Sequence, residues 1–167
     1  MNTKQCAWSI LLVSLVLTAC AAEQTETEDV NDVWESTFAA LQTKLFEGQG
    51  CTNQACHGTA SVGGLTLTAD VAYEQLVEAA STGSDLVRVK PGDKSRSYLY
   101  SKLLAASQPG EVTITGGPMP TGGSAIPAEL LEALRLWIYA GAPRTGTVAG
   151  TDALLGIQLP PAKPISI

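Results

Sequence analysis

Two cysteines and a histidine lie close together near the middle of this 167-residue chain. Four residues separate Cys51 from Cys56, and His57, the only histidine in the chain, directly follows the second cysteine. Two thiols can add to the two vinyl groups at one porphyrin edge, which brings the adjacent imidazole under the ring and within reach of its iron. The pattern predicts one covalent haem c on Cys51 and Cys56, with His57 as proximal ligand.

The two cysteines have two alternative uses. In an oxidising compartment Cys51 and Cys56 can form a disulfide, which would make the chain a haem-free module. A disulfide requires no histidine at the next position, so it leaves the single imidazole without a role. A zinc site is disfavoured because structural zinc takes four protein ligands, and the mature chain offers no further free cysteine or histidine.

A methionine in a long loop is the candidate for the second iron ligand. Met119 is the only methionine after Met1, and it stands between Pro118 and Pro120 in a stretch rich in glycine, proline and threonine, residues 107–125. Long loops in compact domains are more often functional than idle, and this methionine is not on an apolar helical face. A thioether ligand favours ferrous iron and raises the reduction potential. We therefore expect Met119 to be the distal ligand.

The N-terminus has the pattern of a bacterial lipoprotein signal. Lys4 precedes an apolar run from Ala7 to Ala19, which is too short to span a bilayer comfortably and has the length of a signal peptide core. The run ends in Leu17-Thr18-Ala19-Cys20, which resembles a lipobox. Residues 1–19 are therefore predicted to be a signal peptide, with ordinary secretory cleavage near Ala19 as the alternative.

The residue after the predicted cleavage site is the candidate membrane anchor. Cys20 would carry acyl chains, and several acyl chains together make a stable anchor. Residues 20–32 are small, polar and acidic, which indicates a flexible tether. Because Ala21 rather than aspartate follows Cys20, we expect an exported protein on the periplasmic side of the cell envelope, anchored in the outer membrane.

Composition limits the classes of partner. The formal net charge is −6 and the chain has no long basic run, so nucleic acid is not an expected partner. Hydrophobic residues make up 45% of the chain but aromatic residues only 5%, which leaves few large side chains for a core. A porphyrin would supply the missing core volume.

Helical periodicity organises the rest of the chain. A first helix carries four apolar residues on one face, begins at a cap on Asn31 or Asp32 and ends at Gly48; these apolar residues are Trp34, Phe38, Leu41 and Leu45. Three further helices are predicted over residues 68–80, 93–106 and 127–140, and residues 144–167 are predicted to form an irregular tail. The fold class is therefore all-α, with about four helices and long Gly/Pro-rich loops.

Five cations occur close together in the acidic chain, against one acid, Asp93; they are Arg88, Lys90, Lys94, Arg96 and Lys102. A solvated surface is the simplest interpretation. The functional alternatives are pairing with haem propionates or docking of an acidic redox partner, for which complementary charge mainly raises the encounter rate.

Several motifs occur in an order that resembles a known family; they are CxxxxCH, Gly63-Gly64-Leu65, Pro91-Gly92, Met119-Pro120 and the closing Trp137-Ile138-Tyr139-Ala140-Gly141-Ala142-Pro143. Residues 33–143 resemble a small monohaem cytochrome c domain and are similar to the planctomycete-type cytochrome c domain. The resemblance implies a cytochrome c-like fold around one covalent haem. It also implies thioether attachment at Cys51 and Cys56 and axial ligation by His57 and Met119.

The expected function is outer-sphere electron transfer by an exported, lipid-anchored protein. Its partners would be unidentified redox proteins and, through Cys20, the membrane. With both axial positions occupied by protein, the iron has no open site, so neither a small-molecule substrate nor enzymatic activity is expected. The alternatives are a haem-based sensor or peroxidase-like protein in which Met119 is displaceable, and a haem-free, disulfide-bonded lipoprotein.

Overall fold

Helices joined by long loops make up the part of the chain that the computed structural model describes, residues 34–122 and 124–158. These ranges contain five α-helices and no β-strand, so the all-α prediction is confirmed. The helices are α1 (Thr37–Leu41), α2 (Ala72–Leu76), α3 (Tyr98–Ser107), α4 (Ala128–Tyr139) and α5 (Thr151–Leu155). No helix in these ranges is long and apolar enough to cross a membrane. The predicted signal peptide, Cys20 and the tether lie outside the described residues.

The first helix changes type along its length. α1 continues into a π-helical turn, Gln42–Glu47, and ends at Gly48 as predicted. The cap is Ser36 rather than Asn31 or Asp32, because the Ser36 side chain accepts a hydrogen bond from the backbone N–H of Ala39 at 3.1 Å. π-helical turns are rare in proteins, and those that occur are often found at functional sites. This turn leads the chain directly to the two cysteines.

The core forms where α4 packs on α1. Trp137 of α4 is fully buried, its ring centroid is 5.4 Å from that of Phe38, and its indole N–H donates to the carbonyl of Pro143 at 2.9 Å. The Tyr73 ring completes this aromatic cluster, and its hydroxyl donates to the carbonyl of Ala142 at 2.8 Å. The closing motif of the sequence is thus tied to α2 and α4.

α2 is shorter than the predicted helix over residues 68–80. It ends at Leu76 because the next residues pair with the extended segment 86–90 instead of continuing the helix. The N–H of Glu78 donates to the carbonyl of Val89 at 2.9 Å, and the N–H of Arg88 donates to the carbonyl of Ala79 at 2.7 Å. Long-range backbone pairing here overrides the local helical preference.

The predicted helix over residues 93–106 is divided in two. Asp93 caps a 3₁₀ turn, Lys94–Arg96, and α3 begins only after Ser97. Ser97 is extended because its hydroxyl donates to the carbonyl of Asp93 at 2.7 Å, and the following N–H, of Tyr98, donates to the carbonyl of Val87 at 3.0 Å. The extended segment 86–90 therefore pairs with the chain on both sides.

The prediction that residues 144–167 form an irregular tail is wrong for residues 151–155, which form α5. α5 packs against α1 and α4, and the buried hydroxyls of Thr151 and Thr37 are 3.0 Å apart. Leu155 is only 5% exposed. A helix of five residues is too short to show an apolar period, so only the tertiary contacts reveal it. Residues 159–167 lie outside the described residues.

The buried position of Leu155 makes a prediction about stability. Leu155→Ala should lower the free energy of unfolding by about 2–5 kcal/mol, because the truncation leaves a cavity beside α1 and α4. Chemical denaturation of the purified protein measures the change. Ala153→Ser, at an exposed position of the same helix, serves as the control and should change stability by less than about 1 kcal/mol. Equal stability of the two variants would show that the segment does not belong to the folded domain.

Candidate functional site

The four predicted haem-site residues line one cavity. Its volume is about 630 Å³, and Cys51, Cys56, His57 and Met119 all contribute to its wall. Cofactor and small-molecule sites commonly enclose about 300–1,000 Å³. The structure thus brings together residues that lie in two widely separated parts of the sequence.

Most of the wall is apolar, and it is built by the elements on either side of the cysteine motif. Large apolar side chains come from the π-helical turn, the loop after the histidine, α2 and α3; they are Phe46, Leu65, Leu67, Leu76, Leu99 and Leu103. All six also belong to the hydrophobic core or pack against it. The cavity is therefore continuous with the core rather than a groove on a polar surface.

The backbone around His57 fixes the ring and its tautomer. Nδ1 of His57 is 3.2 Å from the carbonyl oxygen of Leu65. A carbonyl can only accept, so Nδ1 is the donor; in the neutral ring this tautomer leaves the lone pair on Nε2 available to a metal. The backbone groups of His57 are also bonded, since its N–H donates to Cys51 and its carbonyl accepts from Leu67. A hydrogen bond of this kind is typical of metal-binding histidines.

The four residues between the cysteines fold back in tight turns. The N–H of Cys51 donates to the carbonyl of Phe46 at 2.8 Å, and the N–H of Cys56 donates to the carbonyl of Asn53 at 2.8 Å. Gly58 closes the motif, because a Cβ at that position would collide with the carbonyl oxygen of Thr52. With four residues between them, both cysteines therefore still reach the same cavity.

The two thiols differ in their surroundings. Both are free, but Cys51 is half-buried whereas Cys56 is exposed. Burial raises the pKa of the Cys51 thiol above its ordinary value, and the neighbouring Cys56 adds to the increase. Cys51 is thus the less reactive of the two.

Met119 reaches the cavity from the loop that follows α3. Its backbone N–H donates to the carbonyl of Lys102 at 3.1 Å, and its side chain is half-buried. The Thr121 hydroxyl donates to the sulfur of Met119 at 3.4 Å. Because a thioether sulfur has two lone pairs, this contact leaves one of them for another partner.

Only two of the five clustered cations line the cavity, Arg88 and Lys102. Arg88 is just 9% exposed, and its guanidinium donates to the carbonyls of Gln75 and Gly64 at 2.9 and 2.8 Å. Within residues 34–122 and 124–158 no carboxylate pairs with it. Burial lowers the pKa of this guanidinium below its ordinary value. The clustered cations therefore do not form one surface.

Two aromatic residues of the wall, Phe46 and Tyr98, were not predicted from the sequence. Phe46 follows Leu45, and successive residues of a regular α-helix point about 100° apart, so the helical pattern assigned only Leu45 to the core. Both are buried, and Phe46 also lines the cavity. Tyr98 was missed because the predicted helix began earlier, at residue 93; its hydroxyl lies 2.5 Å from the carbonyl oxygen of Thr115.

Comparison of the chain with protein-family models, with curated proteins and with solved structures finds no match. The resemblance to the planctomycete-type cytochrome c domain thus remains a prediction from the motifs. The assignment of the site depends on the residues of the cavity and their geometry.

The unequal exposure of the two thiols predicts their order of reaction. In protein produced without haem, iodoacetamide at mildly alkaline pH should modify Cys56 at least about threefold faster than Cys51, since burial limits access of the reagent to Cys51 and the raised pKa reduces its thiolate. Peptide mass spectrometry at successive times measures both rates. In denaturant the two rates should become similar. Faster modification of Cys51 in the folded protein would contradict the described site.

Proposed function

We propose that this protein is an electron-transfer protein, an exported and lipid-anchored monohaem c-type cytochrome with His57 and Met119 as axial ligands. The observation that most supports the proposal is the convergence of Cys51, Cys56, His57 and Met119 on one apolar cavity. Met119 lies far along the chain from the other three, so local spacing cannot account for its position.

The chemistry of these side chains fits haem c. Two free thiols are available for thioether bonds to a porphyrin, and in neutral His57 the Nδ1–H donates to Leu65, so the Nε2 lone pair can bind a metal. Met119 offers a thioether, and the surrounding wall is apolar. When bound, haem c supplies an iron that changes between the ferrous and ferric states. The protein would adjust the reduction potential of this iron through the axial ligands, their hydrogen bonds and the low polarity of the wall.

Arg88 is the residue we expect closest to the acidic groups of the cofactor. A buried cation is costly unless an anion compensates for its lost hydration. Gln75 and Gly64 give Arg88 neutral hydrogen bonds only, and Arg88 lines the cavity wall. A haem propionate has the charge and hydrogen-bonding capacity to complete this site.

Electron transfer requires one cofactor edge to be close to the protein surface. Cys56 is exposed at the wall of the cavity, and Val62, which also lines it, is 47% exposed. We propose that redox partner proteins approach this edge. An anchor at Cys20 with a tether over residues 20–32 would allow the domain to reach them from the outer membrane.

The direct test is the pigment of the wild-type protein. Expression in the periplasm of cells that mature c-type cytochromes should give a red protein whose mass exceeds that of the mature chain by one haem, because two thioether bonds survive denaturation. Acid-acetone extraction should leave the pigment on the protein. The double variant Cys51→Ser, Cys56→Ser is the control and should lose it. A colourless wild-type protein would refute the proposal in favour of the haem-free lipoprotein.

Removal of the distal ligand should change the potential but not the attachment. Met119→Ala and the size-matched Met119→Leu should keep covalent haem yet lower the reduction potential by at least about 60 mV, equivalent to a tenfold weaker preference for the ferrous state. Redox titration measures this change. Leu104→Ala, an apolar truncation on α3 outside the cavity wall, should leave the potential close to wild type.

Carbon monoxide binding separates electron transfer from the sensor or peroxidase-like alternative. Both Met119 variants should bind carbon monoxide in the reduced state, because the sixth position is open, whereas the wild type should bind it poorly. Ready binding by the wild type would favour the alternative with a displaceable Met119.

A further inference from the structure

The loop that carries Met119 is joined to other elements through one face of α3. Among the described residues, every hydrogen bond from residues 109–122 to another element involves Tyr98 or Lys102. No other helix or turn in the described ranges contributes to holding this part of the loop by hydrogen bonds. The position of Met119 therefore depends on these two residues.

Lys102 binds the loop with both its side chain and its backbone. Its ammonium group donates to the carbonyl oxygens of Thr115 and Gly117 at 2.8 and 2.7 Å. Its own carbonyl accepts the N–H of Met119 at 3.1 Å. We call this set of three hydrogen bonds the Lys102 clasp. Hydrogen bonds from a charged donor are among the stronger ones in proteins, so the clasp is well suited to restrain a glycine-rich segment.

Tyr98 supports the clasp from one helical turn away. Residues four apart lie on the same helix face, and the Lys102 ammonium is 4.9 Å from the centre of the Tyr98 ring. The Tyr98 hydroxyl has a single proton, which goes to the nearer of two carbonyls, that of Thr115 at 2.5 Å rather than that of Gly83 at 3.2 Å. Thr115 is thus bound by both side chains.

The loop sequence matches the clasp at Gly116. This residue has φ +68°, which favours glycine, and a Cβ there would be 3.2 Å from the Lys102 ammonium. Glycine lets the loop turn closely around the ammonium group, with the carbonyls on both sides of Gly116 directed to it. The positive φ and the close approach of the ammonium group therefore explain why glycine suits this position.

We infer that Lys102 is a positioning residue that holds Met119 in the sixth coordination position, with Tyr98 as its support. The inference rests on the proposed function and goes beyond it, since it assigns to α3 the control of whether the iron site is closed. With the clasp intact, Met119 competes successfully with external ligands. Without it, the loop moves and Met119 occupies the position for less of the time, which reduces the effective affinity of the thioether.

The test compares Lys102→Leu with Lys94→Leu. Both changes remove one positive charge near α3, but Lys94 lies over the Tyr100 ring and makes no hydrogen bond to the loop among the described residues. In the haem-loaded protein, Lys102→Leu should retain covalent haem, weaken the far-red charge-transfer band of ferric His/Met ligation, and bind carbon monoxide at least about tenfold more tightly. Lys94→Leu should match the wild type.

Amide hydrogen exchange provides a readout that does not need haem. In Lys102→Leu the peptide that covers residues 109–122 should exchange at least about tenfold faster than in the wild type, while the peptides of α4 remain protected. Tyr98→Phe, which removes only the hydroxyl, should give a smaller change in the same direction. This second variant keeps the inference testable if Lys102→Leu does not fold.

The results distinguish failure of the inference about Lys102 from failure of the proposed function. Unchanged exchange and unchanged carbon monoxide affinity in both Lys102→Leu and Tyr98→Phe would overturn the inference. Faster exchange with wild-type carbon monoxide affinity would also overturn it, because the clasp would then hold the loop without positioning Met119. A wild-type protein without haem would refute the proposed function, and with it the role at the iron, whereas exchange alone would still decide whether the clasp restrains the loop.

Discussion

The interior of this protein is organised around an apolar space of about 630 Å³ next to the core. Protein interiors are normally close-packed, and large apolar cavities are costly because their walls lose contacts. With aromatic residues at only 5%, the chain has few side chains large enough to close such a space. A rigid planar cofactor would supply the missing contacts, so occupancy and stability of the domain should be coupled. Among the polar side chains on the wall, those of His57, Arg88 and Tyr98 each bond to a backbone carbonyl that holds it in place.

The extended segment 86–90 determines the end of α2, the start of α3 and the position of Arg88. Its backbone pairs with the residues after α2 on one side and with Ser97 and Tyr98 on the other. This pairing ends α2 early, delays the start of α3, and carries Arg88 into the cavity wall. Because it determines where α3 begins, it also positions Tyr98 and Lys102, which bind the loop that carries Met119. A short stretch without regular secondary structure therefore determines the register of the site.

Hydrogen bonds to backbone carbonyls recur at three side chains of the site. His57 donates to Leu65, Arg88 donates to Gly64, and Lys102 donates to Thr115. Carbonyls of loops are placed by the backbone itself, so they restrain a side chain without adding a second flexible group. For the proposed electron transfer, such restraint would keep the ligand positions similar in the two oxidation states.

The sequence by itself determined the local chemistry and the class of fold. The adjacency of Cys56 and His57 is covalent, and apolar spacing was sufficient to predict an all-α chain with long helices near α1, α3 and α4. Only the tertiary structure decided that Met119 shares a cavity with the cysteines, that Arg88 is buried while Lys90 pairs with Glu78 on the surface, and that α5 exists. The physical reason is the distance along the chain over which each interaction acts. Spacing along the chain controls neighbours within a few residues, whereas loop closure, burial of charge and very short helices depend on contacts between segments that no local pattern records.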